Sequence, residues 1–248
     1  MRKDLFIAFA LVVVSFFILL ALFSTLEQTK TTPISDKRFV QTRESVALNS
    51  VVINVPAVDN QGNGVVAKLK VQAIPGEGRI LTNINQLLFW VDTQYSIRIA
   101  ETVAQNITSA DLSKVDLIYT IETDASVIEG GSAGAALTVA TIAVLQNKSL
   151  SPDVMITGTI NPDGTIGPIG SVFAKAEASK GVGAKLFLVP EGQGSQVNYS
   201  PEKKCEQVGP VTFCTTEYKP QKLDISKDVG IEVKEVSTIN DALKYFIS

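Results

Sequence analysis

Histidine does not occur anywhere in this 248-residue chain. That absence removes the Ser-His-Asp triad from consideration. It also removes the usual catalytic zinc sites, because two cysteines and no histidine cannot supply their ligand sets. No G-x-x-x-x-G-K-[ST] string is present. The nearest segment, Gly181-Val182-Gly183-Ala184-Lys185, has the wrong spacing and leads into a strand pattern. These residues therefore give no reason to expect ATP hydrolysis, a metal or another cofactor. A formal net charge of −3 gives no electrostatic reason to expect a nucleic-acid partner. No internal repeat is visible. Beyond the first 30 or so residues roughly 200 remain, enough for one large domain or a compact pair.

What the chain does have begins at its N-terminus. Residues 5–26 carry no charge and are mostly Leu, Val, Phe, Ala and Ile. At 1.5 Å per residue a helix of that length spans roughly 33 Å, enough for a bilayer core. Arg2 and Lys3 precede it, which places the N-terminus in the cytoplasm and the remainder across the membrane. The alternative is a cleaved signal peptide, whose apolar region is usually shorter and followed by a small-x-small site. Ala21-Leu22-Phe23-Ser24 fits that poorly. Residues 27–44 are polar and read as a tether, leaving residues 45–248 as the folded domain. A single-pass protein of the cell membrane, with its domain on the extracytoplasmic side, is the expectation.

Cys205 and Cys214 flank a Gly209-Pro210 turn signal, so a hairpin would bring their sulfurs together. In an exported chain such a pair favours a disulfide; two unpaired thiols in a loop are the alternative. N-x-[ST] triplets at Asn106, Asn147 and Asn198 add only weak support for export.

Along the domain, 51–58 and 64–74 read as two strands around a strong turn at 59–64, with a third short strand at 79–81. A helix period covers 93–107, with Asp92 as its cap. Residues 115–121 form a strand leading to Glu129-Gly130-Gly131-Ser132-Ala133-Gly134. Residues 133–146 follow as a helix apolar almost all round, hence buried. A strand at 154–160 turns at Asn161-Pro162-Asp163-Gly164, and 165–167 pairs back. Ser171 caps a helix through Lys180, and 185–189 is a strand. Residues 191–205 read as a polar, Gly-rich loop, 229–236 as a strand, and Thr238 caps a last helix to Phe246. Mixed hairpins and βα units indicate an α+β fold.

Without histidine, the remaining common base for a serine nucleophile is an unprotonated lysine. Ser132 stands in a small-residue turn at a helix start, where free N–H groups and the dipole suit an oxyanion. Gly130 and Gly131 let a substrate backbone approach closely. Lys175 lies 43 residues later, among apolar Val172, Phe173, Ala174 and Ala176. To work near neutral pH its pKa must fall by roughly 2–4 units, which needs about 3–5 kcal/mol of differential destabilisation of the ammonium. Desolvation by those neighbours and the nearby helix N-terminus are two sources. Taken singly, each feature has a plainer reading: a tightly packed helix start, and a solvated helix lysine.

The joint spacing resembles the proteolytic domain of the Lon family, the Ser-Lys peptidases of family S16. Ser132-Ala133-Gly134 matches the family's serine turn. Pro168-Ile169-Gly170 with Lys175 matches the lysine segment, and Ile156-Thr157-Gly158 the strand between them. Residues 181–191 resemble the family's Gly-rich turn, strand and Pro-Glu. The match is good over about 115–190 and looser over 45–248. The resemblance implies the α+β fold of that domain, which is ribosomal protein S5 domain 2-like. It implies Ser132 as nucleophile, Lys175 as general base, Thr157 as hydrogen-bond partner of the lysine amine, and Glu129 at the acidic position three before the serine. Gly131 and Ala133 flank the nucleophile, where backbone N–H groups form the oxyanion hole. The family's usual Gly-Pro before the serine is Gly130-Gly131 here, and its acidic residue after Thr-Gly is Thr159.

The expectation is a membrane-anchored serine endopeptidase acting on peptides or unfolded proteins without an ATPase of its own. The resemblance also implies a homo-oligomer, usually a six-membered ring. Two alternatives are a catalytically silent binding or scaffold module of the same fold, and a protein whose main activity is cleavage of its own tether.

Overall fold

The computed structural model describes residues 49–84, 91–123 and 130–247. The apolar segment 5–26, the tether 27–44 and Glu129 lie outside the described residues. Among those described, no helix is long and apolar enough to cross a membrane.

Strands β1 (Asn49–Val58) and β2 (Gly64–Pro75) form an antiparallel hairpin. Its turn is fixed by Asp59, whose carboxylate accepts the N–H groups of Gln61 and Asn63 at 2.8 and 2.9 Å. Alternation then decides which side is core: Val51, Ile53 and Val55 are buried, whereas Val52 is exposed. Strand β4 (Val115–Glu122) adds antiparallel to β2, and β3 (Ile80–Ile84) runs parallel beside β4, giving the order β1-β2-β4-β3. The β2–β3 connection is pinned by buried Asp116. That carboxylate accepts from the backbone N–H groups of Glu77 and Arg79 and from the Arg79 guanidinium. These donors hold its pKa down at about 2.

Helices α1 (Val91–Thr108) and α2 (Gly134–Leu145) pack together against this sheet. From Gly134 to Val144 every residue of α2 is buried, so its polar members must bond locally. Thr138 and Thr141 donate to the Gly134 and Leu137 carbonyls at 2.8 and 2.7 Å, and the buried Tyr119 hydroxyl donates to Thr141 Oγ1 at 2.9 Å.

A second sheet is wholly parallel. It contains β5 (Val154–Ile156), β8 (Leu186–Pro190) and β11 (Glu232–Val236), in the order β11-β8-β5. Between β5 and β8 come the short pair β6 (Thr159–Ile160) and β7 (Ile166–Gly167) and helix α3 (Val172–Gly181). A smaller core joins this sheet to α3 through Met155, Val172, Ala176, Phe187 and Val189. Helix α4 (Ile239–Phe246) is capped by Thr238, whose hydroxyl oxygen accepts the Asp241 N–H. The architecture is mixed α/β, with an antiparallel-dominated sheet beside a parallel one.

Some expected boundaries move for local reasons. Strand β3 covers 80–84 rather than 79–81, because its partner is β4 and not a local turn. Asp92 lies inside α1 instead of capping it. Ser171 precedes α3 in a left-handed conformation, φ 57°, and its side chain makes no capping bond. The last strand starts at Glu232, because Ser226–Gly230 forms a wide helical turn that buries Val229.

The largest correction is at 191–205, which reads as a polar loop. From Ser195 the chain forms β9 (Ser195–Val208), paired along its whole length with β10 (Val211–Asp224). Strand signals in sequence come from one face being buried. Both faces of this ribbon are largely exposed, so its pairing leaves no apolar alternation to read. Cys205 and Cys214 stand directly opposite, Cα atoms 4.0 Å apart, and are joined by a disulfide. Lys204–Glu217 and Lys219–Glu202 add cross-strand ion pairs.

An unsupported two-stranded ribbon is marginal in water, so the disulfide is its main brace. Closing so short a loop is worth roughly 2–3 kcal/mol, and here that stabilisation falls on the ribbon alone. Replacing both cysteines by serine is expected to accelerate amide exchange and proteolytic nicking within 195–224 while barely moving the Tm of the domain. Hydrogen-exchange mass spectrometry checks this, and uniform acceleration across the domain would contradict it.

Candidate active site

Ser132 is the middle residue of a single 3-10 turn, Gly131–Ala133, that leads into α2. Gly130 enters this turn with φ 96° and ψ 161°, a conformation essentially confined to glycine. The turn is gripped by a distant part of the chain. The Gly158 N–H donates to the Ser132 carbonyl at 2.9 Å, the Thr157 hydroxyl donates to the same oxygen at 3.3 Å, and the Ala135 N–H returns a bond to Gly158 at 3.0 Å. This grip explains why 154–160 is not one continuous strand. The Thr157 N–H still bonds the Leu188 carbonyl of β8, but at Gly158 the backbone turns to the serine carbonyl, and strand pairing resumes at Thr159 with β7.

The approach is close enough to require small residues. A Cβ on Gly158 would stand 2.4 Å from Ile166 Cγ2, and one on Gly134 would stand 2.9 Å from the Ile160 backbone nitrogen. Because a backbone atom cannot swing aside, Gly134→Ala is expected to destabilise the domain by roughly 1–3 kcal/mol. Thermal unfolding reads this directly; an unchanged Tm would refute the tight packing inferred here.

Lys175 comes from the first turn of α3, where its N–H donates to the Ser171 carbonyl at 3.1 Å. The helix is pressed against the start of β2: a Cβ on Gly64 would lie 2.0 Å from the Ala174 carbonyl oxygen. The lysine is consequently only 4% exposed. Its Nζ donates to Ser132 Oγ at 2.9 Å. Among the described residues no carboxylate pairs with the amine. Burial pushes its pKa down to about 8. An amine with that pKa is neutral in a substantial fraction near pH 7.5, and can accept a proton from a hydroxyl in contact with it.

The residues singled out in sequence thus fall into three groups. Ser132, Lys175 and Thr157 converge, although the Thr157 hydroxyl bonds the serine carbonyl and not the lysine amine. Gly131 and Ala133 flank Ser132, half-buried, with Ser96 of α1 and Thr159 of β6 walling the turn beside Gly131. Glu129 lies outside the described residues, and Cys205 and Cys214 belong to the ribbon. Sequence reading missed the Gly158 N–H as the principal anchor of the serine turn. A backbone donor has no side-chain signature, and only the juxtaposition of the two segments exposes it. Among the described residues no group of three His, Cys, Asp or Glu side chains gathers where a metal ion could sit.

The profile of the Lon protease (S16) C-terminal proteolytic domain matches residues 60–216. An archaeal Lon protease of Thermococcus kodakarensis is 27% identical over 206 residues, covering 78% of this chain and 30% of that protein. One from Methanocaldococcus jannaschii is 26% identical over 181 residues, covering 66% of this chain and 27% of the relative. A Lon protease of Phenylobacterium zucineum is 25% identical over 143 residues, covering 56% and 18%. The chain therefore spans less than a third of the length of these relatives.

Proposed function

This chain belongs to the Lon protease (S16) C-terminal proteolytic domain family, one of serine-type peptidases, and from that premise we propose a membrane-anchored endopeptidase that hydrolyses peptides or unfolded proteins with a Ser132–Lys175 dyad. The observation that carries the reading is the 2.9 Å contact between Lys175 Nζ and Ser132 Oγ, made by a buried amine. Lys175 takes the hydroxyl proton as Ser132 Oγ attacks the scissile carbonyl carbon. The same proton then goes to the leaving amine, and a water molecule resolves the acyl-serine. Backbone N–H groups of the Gly131–Ala133 turn, at the head of α2, stabilise the oxyanion. Thr157 and Gly158 hold the serine carbonyl and so fix the nucleophile from behind.

Anchoring through residues 5–26 is part of the same proposal. It is supported by an uncharged run long enough for a bilayer and by Arg2 and Lys3 ahead of it. An oxidising, extracytoplasmic location for the domain is supported by the Cys205–Cys214 disulfide. The proposal extends to ATP-independent action and to a homo-oligomer.

The test is hydrolysis of an unfolded protein by the purified full-length chain in detergent, with and without ATP. Activity lost in both Ser132→Ala and Lys175→Ala, but kept in Ser113→Ala, supports the dyad. Hydrolysis persisting in Ser132→Ala overturns it.

A further inference from the structure

The dyad has two halves, and each must be held. The serine half hangs from β8, because the Thr157 N–H donates to the Leu188 carbonyl at 3.0 Å just before Thr157 and Gly158 grip Ser132. The lysine half has a less obvious support. Helix α3 starts from the turn 168–171, and that turn is strained. Ser171 sits at φ 57° with no side-chain bond to compensate, a conformation that costs a non-glycine residue about 1 kcal/mol or more. Its carbonyl accepts the Lys175 N–H, so the strained residue sets where α3 begins and how Lys175 is aimed. Such a conformation persists only when its surroundings enforce it.

One side chain makes two bonds to this turn. Gln193 Oε1 accepts the Ile169 N–H at 2.9 Å, and Gln193 Nε2 donates to the Ile169 carbonyl at 2.8 Å. The amide thereby closes a two-bond ring on a single residue, as a neighbouring strand would. Gln193 is half-buried, and its own N–H donates to the Pro190 carbonyl at the end of β8. Ile169 in turn packs into the small core beside Phe173 and Val172 of α3. Strand β8 therefore supports both halves of the site, Ser132 through Leu188 and Lys175 through Gln193.

We propose that Gln193 is a positioning residue: its bidentate clamp on Ile169 holds the strained Ser171 turn and so fixes Lys175 against Ser132. The proposal rests on the dyad reading for its catalytic consequence, but the clamp acts on Lys175 whether or not the chain cleaves peptides. Removing the clamp lets the turn relax, α3 shift and water reach the amine. A displacement of that kind costs a well-aligned site about 10-fold or more in kcat with little change in KM.

The test compares the full-length wild type with Gln193→Ala and Gln193→Glu. The carboxylate of the second variant still accepts from Ile169 but cannot donate to its carbonyl. Two readouts are taken: peptide hydrolysis, and the titration of Lys175 followed by NMR of its side-chain Cε, assigned by its loss in Lys175→Met. The expected result is a kcat reduced about 10-fold in Gln193→Ala, with KM within about twofold. The lysine titration should move up toward its ordinary value, and adding Ser171→Gly should recover both, because glycine adopts the turn without strain. A wild-type titration and a wild-type kcat in both Gln193 variants would overturn the proposal. So would a kcat loss with no movement of the titration and no recovery by Ser171→Gly. If the wild type hydrolyses nothing, the dyad reading fails separately, and the lysine titration still decides the role of Gln193.

Discussion

Ser132→Ala is expected to lower kcat for peptide hydrolysis by at least about 10³-fold while leaving the protein folded. The size follows from the geometry. Ser132 Oγ is the hydroxyl in contact with the buried amine of Lys175, at 2.9 Å, and a methyl group in its place cannot form the acyl intermediate. The fold should not suffer. The turn is held through the Ser132 backbone carbonyl, which alanine retains, and the residue is only half-buried. Lys175→Ala should lose a comparable factor. The double mutant should be no worse than either single one, because residues acting as a unit are not additive. Steady-state kinetics of the four proteins, with circular dichroism to verify folding, checks this. Additive losses would show that the two residues contribute independently, and the dyad would fall.

The second large effect concerns pH, and it appears in both activity and stability. With the Lys175 pKa lowered to about 8, kcat/KM is expected to rise about tenfold per pH unit below 8 and level off above it. Stability has its own sign. The amine keeps its proton to about 10.5 in the unfolded chain but releases it near 8 when folded. Below pH 8 both states are protonated, and burying the ammonium costs the fold roughly 3 kcal/mol. Between pH 8 and 10.5 the unfolded chain binds more protons, so this cost shrinks and the contribution of Lys175 favours folding increasingly. Lys175→Met removes the ammonium and forfeits one hydrogen bond, worth about 1 kcal/mol. It should therefore be inactive yet about 2 kcal/mol more stable than wild type at pH 7, with the advantage gone near pH 10.5. Denaturant titrations of both proteins at the two pH values decide it. A destabilised Lys175→Met at pH 7 would mean that the amine is better solvated than its burial implies.

Much of the site could be read from residue order. The missing histidine left lysine as the base for a serine, and the resemblance to the Lon family, carried by the 43-residue interval, the small-residue turn and the Pro-Ile-Gly segment, singled out the pair. The hairpin of β1 and β2, the largely apolar α2 and the cap at Thr238 were legible because each is a local pattern. Reading failed where the determining partner lay far along the chain or where no face is buried. The interruption at Thr157–Gly158 answers to the Ser132 carbonyl 25 residues earlier, and the ribbon from Ser195 to Asp224 has no buried face to imprint a pattern.

By itself, then, the sequence excluded histidine- and zinc-dependent reactions and singled out Ser132, Lys175 and Thr157, because composition excludes reactions and a motif's spacing survives folding. Only the tertiary structure decided how those side chains meet. It presses α3 against β2 so that an ordinary lysine becomes a weakly basic, buried one. It also turns the Thr157 hydroxyl to the serine carbonyl, and makes β8 the common support of both halves of the site through Leu188 and Gln193. Burial and backbone hydrogen bonding are properties of neighbours in space, and a residue's neighbours in sequence do not specify them.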